Sequence, residues 1–323
     1  MNKRLVLTGV SLIALSLVLF ALVFSSGDTG KDGSTEPYLT FTDSLGNEVV
    51  LAEKPERVAV LFSSLANVWK NAGGEAYITV GESVERGFCD EDVLLVDSGA
   101  GKLINNELLI SYKPDFVIYS SDVPAQQQSG AFLTKSDIPS AAIRLDSFED
   151  YLKALEIFCR ITGNEENYEA YGEGIRAEIE SIKKRTREKL SEKPRILFLR
   201  SGSSQSSCKA KRAEDNFAAR ILEELGCINI ADSVPVLLDG LSAEAVLMSN
   251  PDYIFVSLMG DEEAGRKYVE GVFRSDAYKT LDSRIIFLEK ELYQYKPCER
   301  WAEAYRGLAE ELCLSSSQQS GKR

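Results

Sequence analysis

The sequence predicts an α/β protein of two similar lobes with a ligand cleft between them, and three observations lead to that class. From Tyr38 onward, short apolar runs alternate with longer amphipathic stretches, which is typical of α/β architecture. Residues 107–120 and 244–257 align without a gap at an offset of 137, and 57–64 aligns with 195–202 at an offset of 138. A charged stretch between the repeats is long enough to form a helix that joins the two lobes.

The first lobe is predicted over residues 38–145. Its hairpin turn is placed at Leu45-Gly46-Asn47, because glycine and asparagine favour the backbone of tight turns. In chain order its elements are a hairpin at 39–51, a buried strand at 57–62, a helix through Trp69, and strands at 116–119 and 141–143.

A helical connector is predicted over residues 146–193. Residues 148–162 are amphipathic, and Gly163-Asn164 ends this helix as a C-cap would. A second helix is predicted over 165–190, where Glu, Lys and Arg are dense and apolar residues keep helical spacing. A helix of about 25 residues spans about 37 Å, which suits a strut between two lobes.

The second lobe is predicted over residues 194–314, and a polar tail over 315–323 is expected to be disordered. Its elements are strands at 195–199, 253–256 and 285–288 and a final amphipathic helix that ends near Leu314.

The amino terminus predicts export. A short basic start at residues 2–4 precedes a charge-free, apolar stretch at 5–24, so residues 1–25 are a signal peptide or a signal anchor. Residues 26–37 have the composition of a flexible linker. No cysteine occurs before Cys89, so no lipidation site is recognised. We expect an extracytoplasmic protein, either anchored at the cell surface or secreted or periplasmic.

Composition excludes several classes of function. Hydrophobic residues make up 44% of the 323, enough for a full core. Lys and Arg total 37 against 50 Asp and Glu, and a net charge of -13 argues against nucleic acid as a partner. Histidine is absent, which removes Ser-His-Asp and Cys-His nucleophile systems and imidazole metal sites. The six cysteines have no CxxC spacing, and both free thiols and disulfides stay open.

The segment from Arg200 to Arg212 is the most unusual stretch of the chain. It carries four cations and five serines inside an otherwise acidic protein. Hydroxyls, free backbone N–H groups and guanidinium forks suit a ligand with carboxylates or phosphates. A solvated surface loop is the alternative interpretation. The segment is not a P-loop, because GxxxxGK[ST] is absent.

Loops that follow the predicted strands carry the other candidate residues. Aromatic and phenol groups there suit a flat or metal-bearing ligand, although aromatic residues more often serve ordinary packing. The candidate ligand-binding residues are Ser63, Arg86, Phe88, Ser120, Arg200, Lys209, Lys211, Arg212, Met259, Tyr293 and Tyr295. The acidic clusters 90–92 and 261–263 are better explained as helix caps or solvated faces than as cation sites.

Three segments resemble one family. Residues 41–62, 241–256 and 292–313 are similar to the iron-siderophore, haem and vitamin B12 substrate-binding proteins of ABC importers, and the likeness covers about residues 38–314. The resemblance implies two Rossmann-like lobes joined by a single long α-helix, with a metal chelate held in the cleft. It implies no cofactor, since iron or cobalt enters only as part of the bound chelate. Without histidine, Tyr or Met is left to ligate a haem iron.

The resemblance also implies docking on the permease of the importer through one acidic residue on each lobe. By position the second-lobe residue matches Asp215, with Glu214 beside it. The first-lobe position falls on Asn67, which is not acidic, and Glu75 and Glu82 are the candidate substitutes for it.

These features predict a monomeric, non-enzymatic binding protein that delivers an iron chelate, siderophore or haem, or a corrinoid to an ABC importer. Its partners are then the chelate and the permease. The alternative is an exported two-lobed α/β enzyme acting on a small anionic molecule. That enzyme needs a carboxylate or a thiol such as Cys208 as its nucleophile, and Glu, Asp or Lys as its base.

Overall fold

A computed structural model of the chain describes residues 36–97, 103–201 and 208–319. The predicted signal segment and most of the linker therefore lie outside the described residues. Within the described ranges, no helix combines the length and the apolar character that crossing a bilayer requires.

Twelve strands and thirteen α-helices, counted over the described residues, follow each other along the chain. The strands are β1 Leu39–Thr42, β2 Glu48–Leu51, β3 Val58–Val60, β4 Ile78–Thr79, β5 Leu94–Leu95, β6 Phe116–Ser120, β7 Ser140–Ile143, β8 Arg195–Ser201, β9 Cys208–Ala210, β10 Ile228–Asn229, β11 Tyr253–Ser257 and β12 Arg284–Phe287. The helices are α1 Ser63–Asn71, α2 Gly81–Glu85, α3 Asn106–Ser111, α4 Pro124–Lys135, α5 Phe148–Thr162, α6 Glu166–Tyr168, α7 Gly174–Lys189, α8 Phe217–Glu224, α9 Val236–Asp239, α10 Ala243–Ser249, α11 Glu262–Phe273, α12 Lys290–Tyr293 and α13 Trp301–Gln319.

Each lobe contains a sheet in which four parallel strands follow the same order. The first has the strand order β5-β4-β3-β6-β7, and the second has β10-β8-β11-β12 with β9 added antiparallel to β8. In each lobe the strand that opens it, β3 or β8, pairs in parallel with the strand that ends the repeated segment, β6 or β11. The predicted repeat is thereby confirmed, together with the α/β class in two lobes.

The first hairpin is fixed by its turn. The Asp43 carboxylate accepts the backbone N–H groups of Leu45 at 2.9 Å and Asn47 at 2.8 Å. Gly46 has a φ of +87°, a conformation that L side chains rarely adopt. These contacts set the register of β1 and β2, which pair antiparallel as predicted.

The connector contains two helical segments. The Ser147 hydroxyl caps α5 by accepting the N–H of Asp150 at 3.1 Å, and Gly163 ends the helix with a φ of +79°, which confirms the predicted C-cap. From α6 the chain continues through a π-helical turn at Glu169–Glu173 into α7. The second segment is thus the long one, and α13 packs along it.

One hydrophobic core serves both lobes on the side of the connector. Val58 and Phe116 of the first sheet belong to the same buried cluster as Ile196 and Phe198 of the second. Each sheet buries its opposite face in a separate cluster, and β8 shows the alternation, because Leu197 belongs to such an outer cluster. The lobes are therefore joined by a continuous core as well as by the chain.

Trp301 lies at the centre of the shared core and is 1% exposed. Its ring meets Phe148 of the connector edge-on at 6.0 Å between centroids and Phe217 of the second lobe at 5.6 Å. Edge-to-face aromatic contacts of this kind stabilise beyond the area that they bury. Trp301 thus ties the connector, the second lobe and the last helix together.

Two predictions about local structure are wrong. The predicted loop 200–212 contains β9, whose register pairs Arg200 with Lys209. This strand has no apolar run that would predict it, because only Ala210 of its three residues is fully buried. Helix α13 runs past Leu314 to Gln319, because the polar residues there include no proline or glycine that would stop a helix. The two-residue strands β5 and β10 were also not predicted, since such short elements leave no period.

Replacing Trp301 with alanine is expected to lower the free energy of unfolding by about 3–5 kcal/mol, because the change leaves a cavity where three elements meet. Urea denaturation followed by circular dichroism measures it. Met248→Ala, at a side chain 82% exposed, is the matched control and is expected to stay within about 0.5 kcal/mol of wild type. A loss below about 1 kcal/mol for Trp301→Ala would show that the core does not depend on this ring.

Candidate functional site

A cavity of about 400 Å³ lies between the lobes, where the carboxyl ends of the strands of both sheets meet. Pockets of this size are typical of small-molecule sites, and this edge is where open parallel sheets bind ligands. The cavity is lined by Phe62, Ser63, Ser64, Glu82, Ser120, Asp122, Val123, Ile143, Leu145, Arg200, Met259, Gln294, Tyr295 and Lys296. We call this cavity the cleft.

Serine hydroxyls in the first-lobe wall are held by a short network. Ser63, the first residue of α1, donates its hydroxyl to Glu82 Oε2 at 2.5 Å. Arg86 Nη1 donates to the hydroxyl oxygen of Ser63 at 3.1 Å and, more weakly, to that of Ser64 at 3.5 Å. Because each hydroxyl is held by defined partners, this wall is organised before any ligand arrives.

Arg86 connects the two lobes. Its guanidinium carbon lies 4.6 Å from the ring centroid of Phe88 and 4.3 Å from that of Tyr295, so the group sits within cation–π distance of both rings. Arg86 and Phe88 belong to the first lobe, and Tyr295 follows the last strand of the second. These three predicted residues are therefore brought together in a cavity beside the cleft, and of the three only Tyr295 also lines the cleft.

Asp122 places a carboxylate in the first-lobe wall beside Ser120. The Asp122 backbone N–H donates to the Ser120 hydroxyl at 3.2 Å, and its side chain pairs with Arg144 at 3.4 Å. Burial and, secondarily, the nearby Asp146 carboxylate raise the pKa of Asp122, while Lys296 and Arg144 oppose that rise. The first-lobe wall thus presents hydroxyls and acids.

Cations line the second-lobe wall. Arg200 Nη2 lies 3.1 Å from the Met259 sulfur, and burial lowers the pKa of Arg200. Over the described ranges, no carboxylate forms an ion pair with Arg200. Lys296, by contrast, pairs with Asp146 and lies 5.7 Å from the Phe217 ring. The cleft therefore carries opposite charges on its two walls.

Six predicted ligand residues do not line the cleft, namely Arg86, Phe88, Lys209, Lys211, Arg212 and Tyr293. Lys209 is exposed on β9, and Lys211 follows that strand. Arg212 forms ion pairs with Glu214 and, at 3.0 Å, with Asp215. Tyr293 is buried, and its hydroxyl donates to the Ala304 carbonyl at 2.9 Å.

The predicted docking residues differ in exposure. Glu214 and Asp215 are exposed, and the hydrogen bond from Arg212 lowers the pKa of Asp215. Asn67 is only 5% exposed, and its amide nitrogen lies 3.5 Å from Glu299 Oε1. Asn71 donates to the other oxygen of Glu299 at 3.0 Å. Asn67 is therefore covered, while the neighbouring Glu299 carboxylate is half-buried.

Sequence reasoning placed the loops correctly but missed several lining residues. The missed apolar residues are Phe62, Val123, Ile143 and Leu145, and the missed polar ones are Ser64, Glu82, Asp122, Gln294 and Lys296. All of them lie at a strand end or in the loop after it, so position was the available signal. Which side chain of a loop turns inward depends on tertiary packing, which spacing does not encode.

The site has no metal-binding set of its own in the part of the chain that the structure describes, where no three His, Cys, Asp or Glu residues cluster in a metal-binding arrangement. In the acidic cluster 261–263, Asp261 caps α11 by accepting the Ala264 N–H at 3.0 Å, as the capping interpretation predicted. The arrangement suits recognition of a polar, charged small molecule through hydroxyls, guanidinium groups and aromatic faces.

Comparisons with known proteins agree with this geometry. The sequence model of a family described as periplasmic binding protein matches residues 58–283. No curated protein sequence matches the chain.

Solved structures share the fold at low sequence identity. The haem-binding protein RhuT from Roseiflexus sp. RS-1 is 17% identical with a TM-score of 0.62, covering 81% of this chain and 99% of that one. SirA of Staphylococcus aureus, complexed with staphyloferrin B, is 17% identical with a TM-score of 0.61, covering 85% and 97%. An ABC transporter substrate-binding protein from Listeria monocytogenes EGD-e is 16% identical with a TM-score of 0.66, covering 80% and 98%.

Cys208 is expected to be inert at neutral pH, which bears on the enzyme alternative. Burial raises the pKa of its thiol to about 12, so almost no thiolate forms at pH 8. Iodoacetamide at pH 8, with labelled peptides quantified by mass spectrometry, is expected to modify Cys208 at least about 100-fold more slowly in the native protein than in urea. Comparable rates in the two states would restore Cys208 as a candidate nucleophile.

Proposed function

We propose that this chain, which belongs to the periplasmic binding protein family, is an extracytoplasmic substrate-binding protein that holds an iron chelate in its cleft and delivers it to an ABC importer. The observation that carries the proposal is the cleft itself, formed by strand ends of both lobes and lined by hydroxyls and cations. The ligand brings its own metal, and the protein contacts the organic shell. The activity is binding, with no catalytic step.

The charge distribution favours an anionic chelate. Arg200 is half-buried and has no carboxylate partner among the described residues, and a partly desolvated cation of this kind gains free energy from an incoming anion. Arg86 offers a second guanidinium at the opposite lobe, with Tyr295 on its face. A ferric siderophore or haem with carboxylates fits these groups better than a neutral corrinoid.

The names of the relatives support the same ligand class. RhuT is described as haem-binding, and SirA is complexed with staphyloferrin B. Both share the two-lobed fold with this chain. We therefore propose haem and ferric siderophores as the first ligands to test.

The shared core limits how binding is achieved. Since one buried cluster runs through both lobes, closing the cleft by a large hinge rotation would break that packing. We propose that the ligand enters a largely preformed cleft and that side chains such as Arg86 adjust around it.

Delivery needs a surface that the importer recognises. Glu214 and Asp215 are exposed on the second lobe next to the cleft residue Arg200, with which they share a smaller cavity. On the first lobe Asn67 is covered, and Glu299 holds the nearest carboxylate. We propose Asp215 with Glu214 as one docking point and Glu299 as the acid that takes the place of a first-lobe residue.

Arg200→Gln is expected to weaken binding of the recognised chelate by about tenfold or more, because it removes the unpaired cation of the second-lobe wall. Fluorescence titrations with haemin, ferric citrate, ferric hydroxamate and catecholate siderophores, and cobalamin identify the chelate first. Lys209→Gln is the matched variant, because Lys209 is the strand partner of Arg200 yet does not line the cleft.

Affinity within about twofold of wild type is expected for Lys209→Gln. Equal losses in both variants would mean that the whole basic hairpin attracts the ligand. Flat titrations of the folded wild-type protein with every chelate would overturn the iron-chelate proposal.

Asp215→Ala is expected to reduce uptake by about tenfold without weakening chelate binding, because the residue is exposed, lies outside the cleft lining and carries a negative charge that does not attract an anionic ligand. Uptake of radioactive iron chelate into cells that carry the importer measures delivery, and titration of the purified variant measures binding. If chelate affinity falls enough to account for the whole loss of uptake, Asp215 belongs to the ligand site instead.

A further inference from the structure

A second, smaller cavity adjoins the cleft in the second lobe. It has a volume of about 160 Å³ and shares Arg200, Gln294 and Lys296 with the cleft lining. Its remaining wall includes Arg220, on the first turns of α8, and the carboxylates of Asp146, Glu214 and Asp215, of which Glu214 and Asp215 both pair with Arg212. We call it the side pocket. Its volume suits one arm of a ligand and is far too small for a whole chelate.

The acids of the side pocket already have cations. Asp146 pairs with Lys296, and Asp215 pairs with Arg212 at 3.0 Å. Arg200 and Arg220 have no carboxylate within ion-pair distance in the ranges that the structure describes. Two guanidinium groups of the side pocket therefore have no ion-pair partner among the described residues, while its carboxylates are already paired, which favours an anionic occupant.

Two buried polar atoms of the side pocket are also left without hydrogen bonds. Among the described residues, neither the Nε–H of Arg220 nor the Oε1 of Gln294 has a partner, and both atoms are buried. Unpaired buried donors and acceptors cost free energy, and native structures rarely keep them. One atom needs an acceptor and the other needs a donor, so a group that offers both satisfies the pair.

A carboxylate next to an amide N–H offers both the acceptor and the donor that these two atoms need. Its oxygens accept from the guanidinium groups of Arg200 and Arg220, and the N–H donates to Gln294 Oε1. The desolvated state of Arg200 increases the gain from such a contact. A propionate group supplies the negative charge but no N–H donor. An uncharged hydroxamate does not supply the combination of a negative charge and an N–H donor.

We propose that the side pocket, built by Arg200, Arg220 and Gln294, receives a pendant carboxylate, flanked by an amide N–H, of the chelate bound in the cleft. This inference rests on the proposed function and narrows its ligand to ferric siderophores with free amino-acid carboxylates.

The test compares ferric aerobactin, whose pendant carboxylates stand beside amide N–H groups, with ferrichrome, which has none, and with haemin, which has only propionates. Wild-type protein is expected to bind ferric aerobactin at least about tenfold more tightly than ferrichrome. Arg220→Gln is expected to reduce aerobactin affinity by about tenfold and to change ferrichrome affinity by less than about twofold. Gln294→Met is expected to weaken aerobactin alone, by about threefold.

Arg274→Gln is the matched control for the loss of one second-lobe cation, since Arg274 is exposed and pairs with Glu270 on its own helix. Thermal unfolding of each variant checks that it is folded. If the wild type binds neither these three chelates nor any of those titrated to test the proposed function, the proposed function fails as well. If it binds chelates but Arg220→Gln is not selective for aerobactin, only the side-pocket assignment fails.

Two further results would overturn the side-pocket assignment. A preference for haemin that depends on Arg220 but not on Gln294 would remove the amide requirement. Equal affinity for iron-free aerobactin would show that the pocket takes a free anion rather than the arm of a chelate.

Discussion

The packing of Trp301 between Phe148 and Phe217 is the contact on which the architecture depends. It brings the start of the connector, a second-lobe helix and the last helix to one point in a core that both sheets share. Because that core is continuous, the strand ends of the two lobes face each other at a fixed separation, and the cleft exists without a ligand. A preformed site avoids the ordering cost that a hinged site meets on binding.

The two walls of this preformed cleft differ in the polar groups that they present. The first lobe supplies hydroxyls and carboxylates that hold each other, as the contact of Ser63 with Glu82 shows. The second lobe supplies Arg200, which is half-buried and forms no ion pair with an acid among the described residues. Ligand selectivity then depends on the second-lobe wall, because a ligand gains most binding free energy where a charge of the protein has no partner.

Most of the fold could be predicted from the sequence, because buried parallel strands are continuous apolar runs and the repeat exposes their order. The strand β9 could not, since Lys209 faces outward and only Ala210 is fully buried. The sequence predicted which loops form the site, but only some of the side chains predicted in those loops line the cleft. Tyr295 lines the cleft while Tyr293, two residues earlier, donates to a backbone carbonyl in the core. Such differences depend on ion pairs and packing between distant segments, which a local pattern does not record.

The shared core also decides which parts of the molecule are exchangeable. Helix α13 follows the last strand of the second lobe, yet it packs along α7 of the connector and carries Trp301 into the core that the first sheet also uses. A chimera that took one lobe from a relative would therefore cut through a single packed interior rather than between two modules. We therefore expect that changes in the loops at the strand ends can give this chain a new ligand specificity, and that exchange of a whole lobe cannot.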